Sequence, residues 1–204
     1  MNNGKLYIIS APSGAGKTTL VKQLISDLDN LTVSISHTTR PMRTGETNGQ
    51  DYYFITIEDF QAMQEKQAFL EYAQVFDNFY GTAQQTLEQN LKKGSDVILE
   101  IDWQGAQQVK KLLPDSISIF ILPPSTEVLL QRLRNRGQDD EQIIARRMRD
   151  AVAEIRHYEE FDYLVVNNVF EQALTELKSI VIANRLSRQR QLHNLRPLLT
   201  ALLS

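Results

Sequence analysis

The stretch LYIISAPSGAGKTTL, residues 6–20, constrains the fold more than any other part of the chain. An apolar run passes directly into a glycine-containing turn. A helical pattern follows, with Leu20, Leu24, Ile25 and Leu28 on one face. The turn has the form G-x-x-x-x-G-K-[ST], with Ala11 where the first glycine belongs. Such a loop aims successive backbone N–H groups into one concavity and offers a helix N-terminus to an anion. Gly14 and Gly16 permit the tight backbone, Lys17 can reach β- and γ-phosphates, and the Thr18 hydroxyl can ligate Mg2+. Ala11 stands at the turn out of the strand, where a methyl group is harmless if φ is negative. Residues Ala11, Pro12, Ser13, Gly14, Ala15, Gly16, Lys17, Thr18 and Thr19 are therefore expected to hold a nucleoside triphosphate, ATP first among them. The loop alone leaves the fate of the γ-phosphate open.

Four further short apolar runs extend the pattern: Thr32–Ser36, Asp96–Ile101, Ser116–Leu122 and Tyr163–Val166. None alternates, so each reads as a strand buried on both faces. Helical stretches at Glu127–Arg136, Glu141–Tyr158 and Phe170–Arg188 accompany them. Strands alternating with helices predict an α/β fold with a doubly wound parallel sheet of five strands. From about residue 37 to 90 the chain instead reads strand, helix, strand, helix. Asp51–Ile57 alternates, Glu58–Gln67 is helical behind the N-cap Thr56, and Phe69–Val75 is strand-like. This is expected to be an inserted mixed α/β subdomain. Gly137–Asp140 is a polar turn between two arginine-bearing helices, as at the tip of a mobile lid. The expected division is one domain: core about 4–36, 91–131 and 158–190, insertion about 37–90, lid about 132–157, tail 191–204. Pro197 should break that tail, leaving Leu198, Leu199, Leu202 and Leu203 to pack on the domain or on a second copy.

Composition narrows the partners. The chain is 42% hydrophobic and 23% charged with a net charge of −3, which gives no bias toward nucleic acid or an anionic membrane. It has no cysteine, so disulfides and thiolate metal sites are excluded. No apolar run approaches the ~20 residues of a membrane helix, and the N-terminal residues lack a signal-peptide pattern. A cytoplasmic protein is expected. His37, His157 and His193 lack metal-ligand spacing and read as structural or exposed. Arg185, Arg188, Arg190 and Arg196 read as a solvated helix end rather than a nucleic-acid surface.

The stretch SISHTTRPMRTGETNGQDYYF places Arg40 and Arg43 three residues apart. Two guanidiniums so close repel unless an anion lies between them, and their forks match phosphate oxygens. Tyr52 and Tyr80 could donate to the same group. Taken alone this is a solvated basic turn; after a phosphate-loop unit it reads as a second phosphate site. DVILEID ends a strand with Glu100 and Asp102, near the nucleotide crevice of a parallel sheet. One of them could hold Mg2+ through water or face the acceptor. Asp102 is the preferred candidate, and a charged strand end at the surface is the plain alternative.

Together, SAPSGAGKTTL, SISHTTRPMRTGETNGQDYYF, FLEYAQVFDNFYGT, ILEIDWQGAQQVK and RLRNRG resemble the guanylate kinases, in order and spacing, to about residue 184. The resemblance implies transfer of phosphate from ATP, with Mg2+, to GMP in purine nucleotide metabolism. It implies that the inserted subdomain is monophosphate-binding, that Arg40, Arg43, Tyr52 and Tyr80 hold the GMP phosphate and that Ser36, Glu71, Thr82 and Asp102 address the guanine and nearby groups. It implies that Arg132, Arg136 and Arg147 close over the polyphosphate, and that Asn167 completes the adenosine pocket. Lys17, Arg40 and the three lid arginines would carry the catalytic charge. Glu71 would read the base, because an acceptor-only carboxylate can take the N1–H and N2–H donors of guanine and is repelled by the N1 lone pair of adenine. Two other readings remain: a phosphate-loop kinase of another monophosphate or small phosphorylated metabolite, and a non-catalytic, peptide-binding guanylate kinase-like module.

Overall fold

The computed structural model describes residues 3–75, 77–135 and 141–204. In chain order its elements are β1 (Leu6–Ser10), α1 (Lys17–Asp27), β2 (Leu31–Val33), β3 (His37–Thr38), β4 (Tyr53–Phe54), α2 (Ile57–Glu65), β5 (Phe69–Val75), β6 (Asn78–Ala83) and α3 (Gln84–Lys92). There follow β7 (Asp96–Glu100), α4 (Trp103–Leu112), β8 (Ile117–Leu122), α5 (Thr126–Arg134), α6 (Glu141–Ile155), a 3-10 turn, β9 (Tyr163–Val166), α7 (Phe170–Arg185) and α8 (Arg188–Leu203).

The first sheet has five strands in the order β2-β7-β1-β8-β9, and every pairing is parallel. All five residues of the central β1 are buried. Its alternation divides the core. Tyr7 and Ile9 pack with Leu20 and Leu24 of α1 and Leu177 of α7, while Leu6 and Ile8 pack with Leu87 of α3 and Val109 of α4. Helices thus cover both faces, as an unbroken apolar strand requires. Side-chain caps start several of them: Thr56 accepts from the Asp59 N–H, Asp102 from Gly105 and Ser125 from Val128. Each such cap contributes about 1 kcal/mol.

The second sheet runs β4-β3-β6-β5 and is mixed. β3 pairs parallel with β4 and antiparallel with β6, and β5 and β6 pair antiparallel. β3 and β6 enlarge the expected strand, helix, strand, helix, while the strand expected over Asp51–Ile57 shrinks to β4. The run Thr32–Ser36 is likewise only partly strand. The Ser34 N–H still bonds to Ile98 of β7, but the Ser36 carbonyl accepts from Tyr53, so the segment crosses between the sheets.

Two further expectations change, and one is left untested. β9 is an edge strand in which only Val165 is buried, with Tyr163, Leu164 and Val166 exposed. Pro197 does not end the tail: α8 runs through it, because a proline removes one backbone bond and the neighbouring turns continue. The break falls instead between α7 and α8. The turn at Gly137–Asp140 lies outside the described residues.

That break is held by Asp96, which is fully buried at the start of β7. Its carboxylate accepts from the Lys5 N–H at 2.7 Å, from Arg185 Nε at 2.8 Å and from Arg190 Nη2 at 2.8 Å. Arg185 and Arg190 are therefore turned inward and do not belong to a solvated helix end. Removing one partner of a buried ion pair costs about 3–5 kcal/mol. Both arginines keep some solvent contact, so Asp96→Ala should cost about 3 kcal/mol, near the lower end of that range. Urea denaturation should read this loss, and hydrogen exchange should show α8 opening before the sheet.

Candidate active site

The loop after β1 is shaped by two left-handed glycines, Gly14 at φ 94° and Gly16 at φ 92°. An L side chain is strained at either position. At Gly16 there is also no room: an added Cβ would lie 2.4 Å from Asn167 Nδ2. Among the described residues the non-glycine positions with positive φ are Asn30 and Gln67, so Ala11 has the ordinary backbone that the missing glycine demanded. Helix α1 opens with neither a side-chain cap nor an acidic residue in its first turn. Its terminal N–H groups and Lys17 thus present positive potential to the loop's concavity.

Two adjoining clefts meet here. The larger, about 570 Å3, is lined by Ser36, Arg40, Arg43, Tyr52 and Tyr80, with Ser13, Thr18 and Arg147. The smaller, about 260 Å3, is lined by Ala11 to Gly14, Gly16 to Thr19, Glu71, Glu100, Asp102 and Glu154. Ser13, Thr18, Ser36, Tyr52, Tyr80 and Glu100 line both.

On the arginine side, Arg40 Nη2 donates to Glu46 Oε1 at 2.7 Å, and the Arg43 N–H donates to Glu46 Oε2 at 2.8 Å. The Arg40 guanidinium also lies 5.4 Å from the Tyr52 ring centroid. Burial pushes the Tyr52 phenol up to about 12, so it stays a donor at neutral pH. Glu46 was not expected as a site residue; its placement shows only in the fold.

Glu71 comes from β5 and is 3% exposed. Thr82 of β6 donates its hydroxyl to Glu71 Oε1 at 2.6 Å. Behind it, a Cβ on Gly105 would lie 2.5 Å from Glu71 Oε2, so that glycine of α4 makes room for the carboxylate. Burial raises the Glu71 carboxyl to about 7; the Thr82 bond opposes the rise, and nearby Asp102 adds to it. Asp102 caps α4, with Oδ1 on the Gly105 N–H at 2.9 Å and Oδ2 taking a bond from Gln104 at 3.0 Å. Glu100, by contrast, receives the Thr18 hydroxyl at 3.4 Å. Of the two carboxylates ending β7, Glu100 is the one beside Thr18.

The remaining candidates lie behind or above the loop. Asn167 Nδ2 donates to the Ala15 carbonyl at 2.7 Å. Arg132 donates to the same carbonyl at 3.4 Å and to the Asn167 carbonyl at 3.0 Å. Arg132 thus buttresses the loop here and does not line either cleft. Arg147 reaches Ser13 Oγ at 2.7 Å. Ala15 and Thr82 are fully buried and support rather than line the clefts. Arg136 lies outside the described residues. Glu154 of α6 lines the smaller cleft unforeseen. The available signal was a carboxylate on the same helical face as the core residues Ile144 and Ala151.

A phosphate loop at the carboxyl end of a doubly wound sheet, with a second, arginine-lined cleft opening from it, defines a P-loop nucleotide-binding protein. The comparisons narrow the class. A family model described as guanylate kinase matches residues 3–184. A guanylate kinase of Saccharophagus degradans is 58% identical over 201 residues, covering 98% of each chain. One of Methylococcus capsulatus is 56% identical over 203 residues, covering 100% of each. The crystal structure of guanylate kinase from Anaplasma phagocytophilum matches at a TM-score of 0.78 and 34% identity, covering 93% of this chain and 90% of that one. The chain belongs to the guanylate kinase family.

The Glu71 carboxyl should keep its proton at pH 6 and lose it by pH 8, against an ordinary value of about 4.3. Thr82→Val removes a bond that favours the ionised form and should push the midpoint higher. Carbon-13 NMR of labelled glutamate carboxyls reads both, and a midpoint near the ordinary value would contradict the burial argument.

Proposed function

We propose that this chain transfers the γ-phosphate of ATP to GMP, giving ADP and GDP, with the residues assigned as follows. The observation that carries the reading is Glu71, a buried carboxylate beside the phosphate loop with Gly105 cleared behind it. Its two oxygens suit the paired N–H donors of guanine. Ser36, Thr82 and Asp102 surround the base or support Glu71, and Arg40, Arg43, Tyr52 and Tyr80 hold the GMP phosphate. The loop N–H groups and Lys17 take the β- and γ-phosphates, and Asn167 supports the adenosine side. Arg136 and Arg147 bring further positive charge to the moving phosphoryl group, and Arg132 acts through the loop that it buttresses.

Phosphoryl transfer between two nucleotides brings two polyanions together, so catalysis is mainly alignment and neutralisation of charge. The adjoining clefts suit this, because residues lining both would lie between donor and acceptor. Thr18 and Glu100, oxygen donors at the mouth of the loop, fit Mg2+ as a hard cation, and the Glu100 position favours it over Asp102 as the carboxylate facing the ion. The bound ion would supply neutralisation of the triphosphate charge. No helix in the described residues is long and apolar enough to cross a membrane, and we assign the protein to the cytoplasm.

ADP release measured with Mg-ATP against GMP, AMP, dTMP, UMP and CMP tests the reading; GMP should exceed the others by orders of magnitude. A different preferred acceptor would sink the guanine assignment, and no turnover at all would favour the non-catalytic module. Lys17→Ala should fold normally and lower kcat by orders of magnitude, since its charge matters most in the transition state.

Gly105→Ala gives a separate check on Glu71. Helix propensity alone favours alanine by about 1 kcal/mol, yet the added methyl must displace the carboxylate. We expect kcat/KM for GMP to fall at least about tenfold with the ATP KM unchanged, a loss of roughly 1.4 kcal/mol in transition-state binding.

A further inference from the structure

Helix α6 brings two side chains of opposite charge to the phosphate loop. Arg147 Nη2 donates to Ser13 Oγ at 2.7 Å. Two turns later, Glu154 faces the cleft that Ser13 also lines. Residues seven apart share a helical face, so one face of α6 turns both charges toward the loop. Glu154 lines the smaller cleft with Lys17, and the Lys17 ammonium favours its ionised form. Lysine and concavity are among the features a phosphate loop offers to phosphate oxygens.

We propose that Glu154 is an internal anion seated in the phosphate-loop cleft beside Lys17, and that an incoming nucleotide binds by exchanging its phosphate for this carboxylate. The inference rests on the reading of the loop as the ATP site. A triphosphate and an ionised Glu154 cannot share this one cleft beside Lys17 without strong repulsion. The seat is already a costly one for the carboxylate. Asp102 at the cap of α4 and Asp150 on α6 both bear on Glu154, and Glu71 of β5 and Glu100 at the end of β7 line the same cleft. Lys17 of α1 and Arg147 of α6 supply the opposing positive charge. Burial, with these neighbours, raises the Glu154 carboxyl to about 7. Displacement returns it to water, where a carboxyl is ionised at neutral pH. Glu154 is thus a positioning residue: it sets how α6 sits on the empty loop and how tightly the loop accepts a nucleotide.

The test is calorimetry of Mg-ADP and of Mg-β,γ-imido-ATP on the wild-type protein and on Glu154→Gln, in two buffers of different ionisation enthalpy at pH 7. A glutamine keeps the shape and loses the competing charge. Its Kd for both nucleotides should fall at least about threefold, with GMP affinity unchanged as the control for folding. The wild type should release protons on nucleotide binding as Glu154 moves to water, and the variant should release fewer. An unchanged or higher Kd in a variant that still binds GMP overturns the proposal. So does proton release undiminished in the variant; Glu154→Ala, which also removes the charge, carries the same expectations should the glutamine variant fail to fold. Wild type that binds GMP but neither adenine nucleotide would overturn the ATP assignment of the loop as well; normal wild-type binding with no gain in the variant overturns this inference alone.

Discussion

The orientation of one peptide group governs the site. The Ala15 carbonyl is drawn away from the concavity by Asn167 Nδ2 at 2.7 Å and by Arg132 at 3.4 Å. A trans peptide points its N–H opposite to its C=O, so anchoring this carbonyl aims the Gly16 N–H into the loop. The two anchors come from the segment after β9 and from α5, at the far edge of the parallel sheet. The loop's geometry is therefore a property of the whole sheet rather than of its own few residues. The tightness of Gly16 against Asn167 has the same origin, since the anchor can reach the carbonyl only where no Cβ intervenes.

What the sequence made legible follows from the range of the forces involved. β1, β7, β8 and the phosphate loop are specified locally, by apolar runs and by two glycines whose backbone no other residue adopts readily. β6 was not legible, because Asn78–Ala83 mixes polar and aromatic residues with Gly81 and shows no clean period. Its strand exists because Gly81 lets the Phe69 ring approach, where an added Cβ would sit 2.9 Å away. Helix α4 likewise shows no clean period: Gly105 and three glutamines dilute its apolar face, and its start depends on the Asp102 cap. The Asp96 cluster joins residues 89 and 94 positions apart, so no local pattern could disclose which arginines turn inward. For the site, residue types and spacing pointed to the loop and the arginine pair. The carboxylates opposite them, Glu46 and Glu154, emerged only with the packing.

Buried carboxylates recur because the proposed substrates present opposite demands. A phosphate needs cations and amides, whereas guanine offers donors and needs an acceptor. Placing both requirements in adjoining clefts puts Glu71, Glu100, Asp102 and Glu154 within one lining with Lys17. Some of that repulsion appears as the rise of Glu71 and Glu154 to about 7. The cost is tolerable because the elements carrying these groups are anchored elsewhere: β5 by its pairing with β6, and α6 by Ile144 and Ala151 against Leu129 and Leu133 of α5.

The same logic explains why the arginine side is not left as bare charge. Two guanidiniums without a counter-ion would splay into solvent, and each would lose its place in the cleft. Glu46 accepts from Arg40 and from the Arg43 backbone at once, which fixes the direction of the Arg40 fork before any ligand arrives. A phosphate dianion, with more oxygens and more charge than one carboxylate, can then compete for that fork without first organising it. A monocarboxylate or a chloride ion has no such advantage over Glu46. The internal acid thus keeps the cation in position, and on the proposed reading selectivity for phosphate would arise from exchange between anions rather than from attraction alone.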